Sequence, residues 1–183
     1  MSHKNTIQRV EHSIHDVFAA VDAWFDAPEP LRTYQPADGG WTINLILEHI
    51  TLTSFFLLKI IRKGVVKAKK RAQTRSITAT ESDLDMINVI GDPDAFDWIR
   101  PEHMEPTGTP SLSSVRQSMT EQRDECLSLL RRMPDGEGSL YTVRMSVQEL
   151  GKIDMYQWIY FLVQHAYRHH IEMLRIQQEY LEN

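Results

Sequence analysis

Three histidines carry most of the chemistry available to this sequence. His165 and His169 lie four residues apart, and His49 stands far upstream in an apolar stretch. At about 100° per residue, a helix places His169 about 40° from His165, one turn along the same face. On that wheel Glu172 falls at about −20° and Trp158 at about 20°, while His170 lies near 140°, off the face. The i, i+4 spacing lets two imidazoles chelate one metal ion from a single helix.

His49 is flanked by Leu45, Ile46, Leu52 and Phe56 at helical spacing. Burying a lone imidazole among aliphatics costs free energy unless its nitrogens are satisfied. His49 therefore reads either as a hydrogen-bonded core residue or as a ligand, and two helices each aiming histidines inward favour the ligand. Three histidines with an open fourth position form the arrangement of catalytic rather than structural zinc-type sites. Water in the open position has its pKa lowered, which makes hydroxide available near neutral pH.

Four helices must position these groups. The first is predicted from about Asn5 to Phe25, because Ile7, Val10, Ile14, Val17, Phe18 and Val21 recur at spacings of three and four. Asp26-Ala-Pro-Glu-Pro ends it. The second runs from Thr42 or Ile43 to Arg62 or Lys63, with Gly64 as its expected stop. From Val65 to about Pro110 the periodicity fails, and a connection of that length holds short turns or carries function. The third helix is expected from Ser111 or Ser113 to Met133, and the fourth from about Asp154 to Tyr180. Leu140 to Val147 alternates weakly, as a short extended segment does. The expected fold is all-α, a four-helix bundle forming a single domain over residues 1–183, with the long irregular connection between helices 2 and 3.

Composition narrows the partners. The 183 residues carry 20 basic and 25 acidic side chains, a net charge of −5, which argues against a chain-wide nucleic-acid footprint. The one cysteine, Cys126, forms no intrachain disulfide, in keeping with a reducing compartment. The N-terminal residues lack the apolar core of a targeting signal, and no apolar run reaches the ~20 residues of a membrane span. The expectation is a soluble cytoplasmic protein.

The residues around the histidines resemble a known family. Trp41-Thr-Ile-Asn-Leu-Ile-Leu-Glu-His49-Ile is similar to the second-helix motif of the DinB/YfiT-like superfamily, in which a tryptophan precedes the first ligand histidine. Gln164-His165-Ala-Tyr-Arg-His169-His170-Ile resembles its last-helix H-x-x-x-H motif. Pro101-Glu-His-Met-Glu-Pro106-Thr-Gly-Thr-Pro-Ser111 and Leu150-Gly-Lys-Ile-Asp154 resemble a DinB-like subgroup, so the likeness covers nearly the whole chain. The resemblance implies up-down-down-up topology and a divalent metal, nickel or zinc, on His49, His165 and His169. It also implies a small-molecule substrate, with thiol S-transferases using low-molecular-weight thiols and a thiol-dependent maleylpyruvate isomerase among relatives, and a homodimer. One departure is Glu172, where many relatives carry glutamine. A carboxylate there can be a fourth ligand, a partner to a ligand or a base, or pair with Arg168 or Arg175.

Two functional readings follow. In the first, the chain is a divalent-metal-dependent enzyme of hydrolase or thiol S-transferase type. In the second, it is a non-catalytic helical module for dimerisation or binding, whose histidines and Glu172 form a polar core network. The other titratable residues read as background. His3, His12 and His15 belong to the surface, His103 to a loop, Cys126 to buried packing, and the Lys67–Arg75 run to a solvated loop.

Overall fold

A computed structural model describes residues 3–97 and 101–183. The chain is mostly helical. In order it forms α1 (Lys4–Asp22), the one-turn α2 (Glu29–Arg32), α3 (Ile43–Ala72), α4 (Leu112–Arg131) and α5 (Met155–Glu182). Strands β1 (Thr142–Met145) and β2 (Gly151–Asp154) make a small antiparallel hairpin before α5, with Thr142 opposite Asp154 and Met145 opposite Gly151. The expected extended segment is thus β1. Its partner β2 lies in residues expected only to lead into the last helix.

The helix starts follow local hydrogen-bond chemistry. Thr42 and Ser111 accept from the backbone N–H three residues on, at 3.4 Å and 3.2 Å. Asp154 forms a capping box with Gln157, with both reciprocal bonds at 2.9 Å. Each cap satisfies donors that the first helical turn leaves without partners. Long helices pack in pairs, α1 on α5 and α4, and α3 on α5 and α4. Val10, Ile14, Phe18, Ile50, Leu58, Ile61, Tyr156 and Phe161 lie in the core they share. Each such side chain contributes about 1.5–3 kcal/mol by leaving water.

The second long helix does not stop at Gly64. It continues to Ala72, so most of the Lys67–Arg75 run is helical rather than loop. Gly64 serves close approach instead, since a Cβ built there would stand 1.9 Å from Met155 Sδ at the start of α5. Lys69, Lys70 and Arg71 fall in the last turn of α3, where cations complement the negative end of the helix dipole. Among the described residues α3 is, by length and composition, the one helix long and apolar enough to cross a bilayer. Most of that stretch, however, is buried against α4 and α5.

The long connection is partly ordered by packing. Asp85–Gly91 forms a 3-10 helix that buries Ile87 and Ile90 against α5. Glu102–Met104 forms another turn, which touches α3. His3 also departs from expectation. It is buried, adopts a left-handed conformation before α1 and stacks on Tyr156 with ring centroids 5.8 Å apart.

Candidate metal centre

The site lies between the first half of α3 and the middle of α5. His49, His165 and His169 are 2%, 3% and 5% exposed. One ring nitrogen from each lies within 4.8 Å of the other two. Ring centroids stand 5.1 Å apart for His49–His165, 4.7 Å for His49–His169 and 4.5 Å for His165–His169. The Nε2 atoms of His165 and His169 are 3.2 Å apart. Two imidazole nitrogens on one tetrahedral ion, each bonded at ~2.0–2.1 Å, stand about 3.3 Å apart. The cluster is compatible with a divalent metal site.

Hydrogen bonds on the outer side of two rings set which nitrogen faces inward. His49 Nδ1 lies 2.7 Å from the Met104 carbonyl oxygen. A carbonyl accepts only, so Nδ1 carries the proton and Nε2 the lone pair. Thr53 Oγ1 stands 3.5 Å from that Nε2. His169 repeats the pattern, with Nδ1 donating to Glu172 Oε2 at 2.7 Å. A ligand histidine ordinarily donates its outer N–H to a carboxylate or carbonyl in this way, which orients the ring and raises its basicity. Of the roles open to Glu172, the geometry selects partner to His169, with Arg168 Nε 3.6 Å from its other oxygen.

Electrostatics match this arrangement. Burial, reinforced by His169, His49 and Arg168, pushes the His165 imidazole well below its usual range and keeps it neutral. A neutral imidazole is the form that binds metal. Burial works against ionisation of Glu172, yet the hydrogen bond from His169 and the nearby charges outweigh it and hold the carboxyl below its ordinary value.

The cluster opens on a cavity of about 270 Å³ lined by the three histidines, Thr53, Asp97, Pro101, Met104, Arg168 and Glu172. Trp41 packs beside it, its ring 4.8 Å from that of His49. Arg168 donates to the carbonyls of Asp92, Pro93 and Phe96 at 2.6, 3.0 and 3.0 Å. It thereby ties the 92–96 segment to α5 beside the cavity. Sequence reasoning missed Asp97 and the Met104 carbonyl. A loop carboxylate has no periodicity to reveal it, and a backbone acceptor has no residue type.

The remaining histidines stand apart from the cluster. His170 accepts from Trp24 Nε1 at 3.0 Å, consistent with its place off the inward face. His12 is exposed and pairs with Asp16 at 2.9 Å, and His15 is exposed. His103 lies in an exposed turn, its ring 4.4 Å from that of Phe56, and does not line the cavity. Cys126 is fully buried in α4.

Comparison with known families matches residues 9–173 to the DinB superfamily. No curated protein and no solved structure matches the chain.

Proposed function

The chain belongs to the DinB superfamily, and on that premise we propose that it is a divalent-metal-dependent enzyme of hydrolase or thiol S-transferase type. His49, His165 and His169 are its proposed ligands. One observation carries the reading: three buried ring nitrogens converge, and two of the rings are turned inward by acceptors on their outer side. The neighbour order α1–α5–α3–α4, closed by α4 on α1, supports reading the fold as one four-helix bundle domain, and membership of the family carries the proposed up-down-down-up topology.

A divalent cation held there supplies Lewis-acid activation of a water or thiol nucleophile. The chain's own groups do the rest. Glu172 and the Met104 carbonyl fix the two imidazoles, and neutral His165 completes the donor set. Asp97 lines the same cavity and is exposed, so a carboxylate able to accept a proton stands at the cavity wall in contact with solvent. Arg168 lines the cavity and ties the 92–96 segment to α5 through three carbonyls. The cavity volume of about 270 Å³ lies just under the roughly 300 Å³ lower end of ligand pockets, which restricts it to a small substrate. Nickel and zinc are the metals of this reading, imidazole donors being suited to both.

The test is His49→Ala in protein prepared without an immobilised-metal column. The reading predicts a folded protein that has lost its metal. A destabilised variant of a protein that never held metal supports the polar-network module instead.

A further inference from the structure

Glu48, the residue before the first proposed ligand, is 4% exposed in the second turn of α3. A carboxylate is rarely buried so deeply without partners, because removing a charge from water costs several kcal/mol. Its partners are three donors from one short segment. Oε1 accepts from Thr107 N at 2.9 Å and Thr107 Oγ1 at 3.1 Å, and Oε2 accepts from Gly108 N at 2.8 Å. Gly108 adopts a positive φ of 69°, which other residues take up at a cost.

Successive helix residues point about 100° apart, so Glu48 and His49 reach two neighbouring parts of the same connection. Glu48 takes donors from 107–108, while His49 gives its Nδ1 proton to the Met104 carbonyl. Only two residues separate Met104 from Thr107, and Pro106, one of them, limits the freedom of the link. Fixing one end of so short a link fixes the other.

We propose that Glu48 is a positioning residue: by anchoring Thr107 and Gly108 it places the Met104 carbonyl, which holds His49 with Nδ1 protonated and Nε2 facing the cluster. The proposal rests on the metal-centre reading for its purpose, though not for its geometry. In Glu48→Gln, one acceptor oxygen becomes an NH2 group, which cannot accept from a backbone N–H, so at least one anchor bond is lost. Thr107→Val, at an exposed residue, removes the hydroxyl that donates to Glu48 and accepts from Thr109 N, and leaves the Thr107 backbone N–H to Glu48 in place.

The experiment has two readouts. Long-range 1H–15N spectra of the metal-free protein report which His49 nitrogen carries the proton, and zinc titration against a chelating dye reports affinity. The wild type is expected to hold His49 as the Nδ1–H form. Glu48→Gln is expected to populate the Nε2–H form and to weaken zinc binding about 10–100-fold, the usual effect of disturbing a ligand's outer partner. Thr107→Val is expected to move both readouts the same way and by less, and it decides the matter if Glu48→Gln does not fold. An unchanged His49 tautomer in the folded variants overturns the proposal, whatever happens to affinity. A tautomer shift in a protein that binds no zinc upholds the role of Glu48 and refutes the metal reading.

Discussion

Replacing Glu172 by glutamine removes one charge and keeps the side chain's shape. Glu172 Oε2 accepts from His169 Nδ1 at 2.7 Å, inside the range of charge-assisted bonds. A hydrogen bond to a charged group contributes ~1.5–3 kcal/mol, against ~0.5–1.5 kcal/mol for a neutral pair. The substitution therefore costs about 1–1.5 kcal/mol of the interaction that orients His169 and strengthens its Nε2. As ~1.4 kcal/mol is a factor of ten, zinc affinity should fall about tenfold. Glu172→Ala leaves Nδ1 without this acceptor and should approach a hundredfold loss, the upper end of such effects. The assay is competition against a chromophoric chelator, with circular dichroism to show that the fold is kept. Affinities equal to wild type in both variants would refute the assignment of Glu172 as partner to a ligand.

The Cys126 thiol is pushed up to about 12, first by burial and then by the charge of Glu125, so it stays protonated at neutral pH. Iodoacetamide should leave the native protein unlabelled and modify it once it is unfolded. Rapid native labelling would contradict the burial. Asp154 is raised by burial despite bonds from Ser82 Oγ and Gln157 N. The folded state thus holds this proton more tightly than the unfolded chain, and the stability it contributes is lost as pH rises through the folded pKa. Chemical denaturation at a series of pH values should show Asp154→Asn gaining on the wild type from the ordinary carboxylate range upward. A gap that stays constant would exclude the raised pKa. Asp154→Ala should cost about 1–2 kcal/mol through the lost cap, most of it recovered by Asn.

The apolar spacing in the sequence shows α1, α4 and α5 to within a few residues; α1 and α4 each bury one stripe, and α5 is buried all round from Met155 to Val163 and along one face beyond. It misplaces the end of α3 because glycine has two uses, helix stop and close approach, and only Met155 tells them apart. His3 looks like surface in sequence because its neighbours Tyr156 and Gly136 are brought to it by the fold. The second strand of the hairpin is too short to show a period. Within the site, the three histidines were legible, since helical spacing alone puts His165 and His169 on one face and His49 in an apolar stripe. Their supports were less so. The Glu172 carboxylate was visible with its role open, while Glu48 was hidden as a charged residue in a helix. The Met104 carbonyl belongs to the backbone and leaves no mark in the residue types.

The central claim is that His49, His165 and His169 hold one divalent ion. It is tested most directly by crystals of protein purified without a metal column, with anomalous data collected on both sides of the nickel and zinc absorption edges. A single peak is expected between α3 and α5, about 2.0–2.2 Å from one nitrogen of each histidine, with close to one equivalent of that metal by elemental analysis. No peak at the cluster, with less than ~0.1 equivalent of any divalent metal and no uptake on titration, would contradict it.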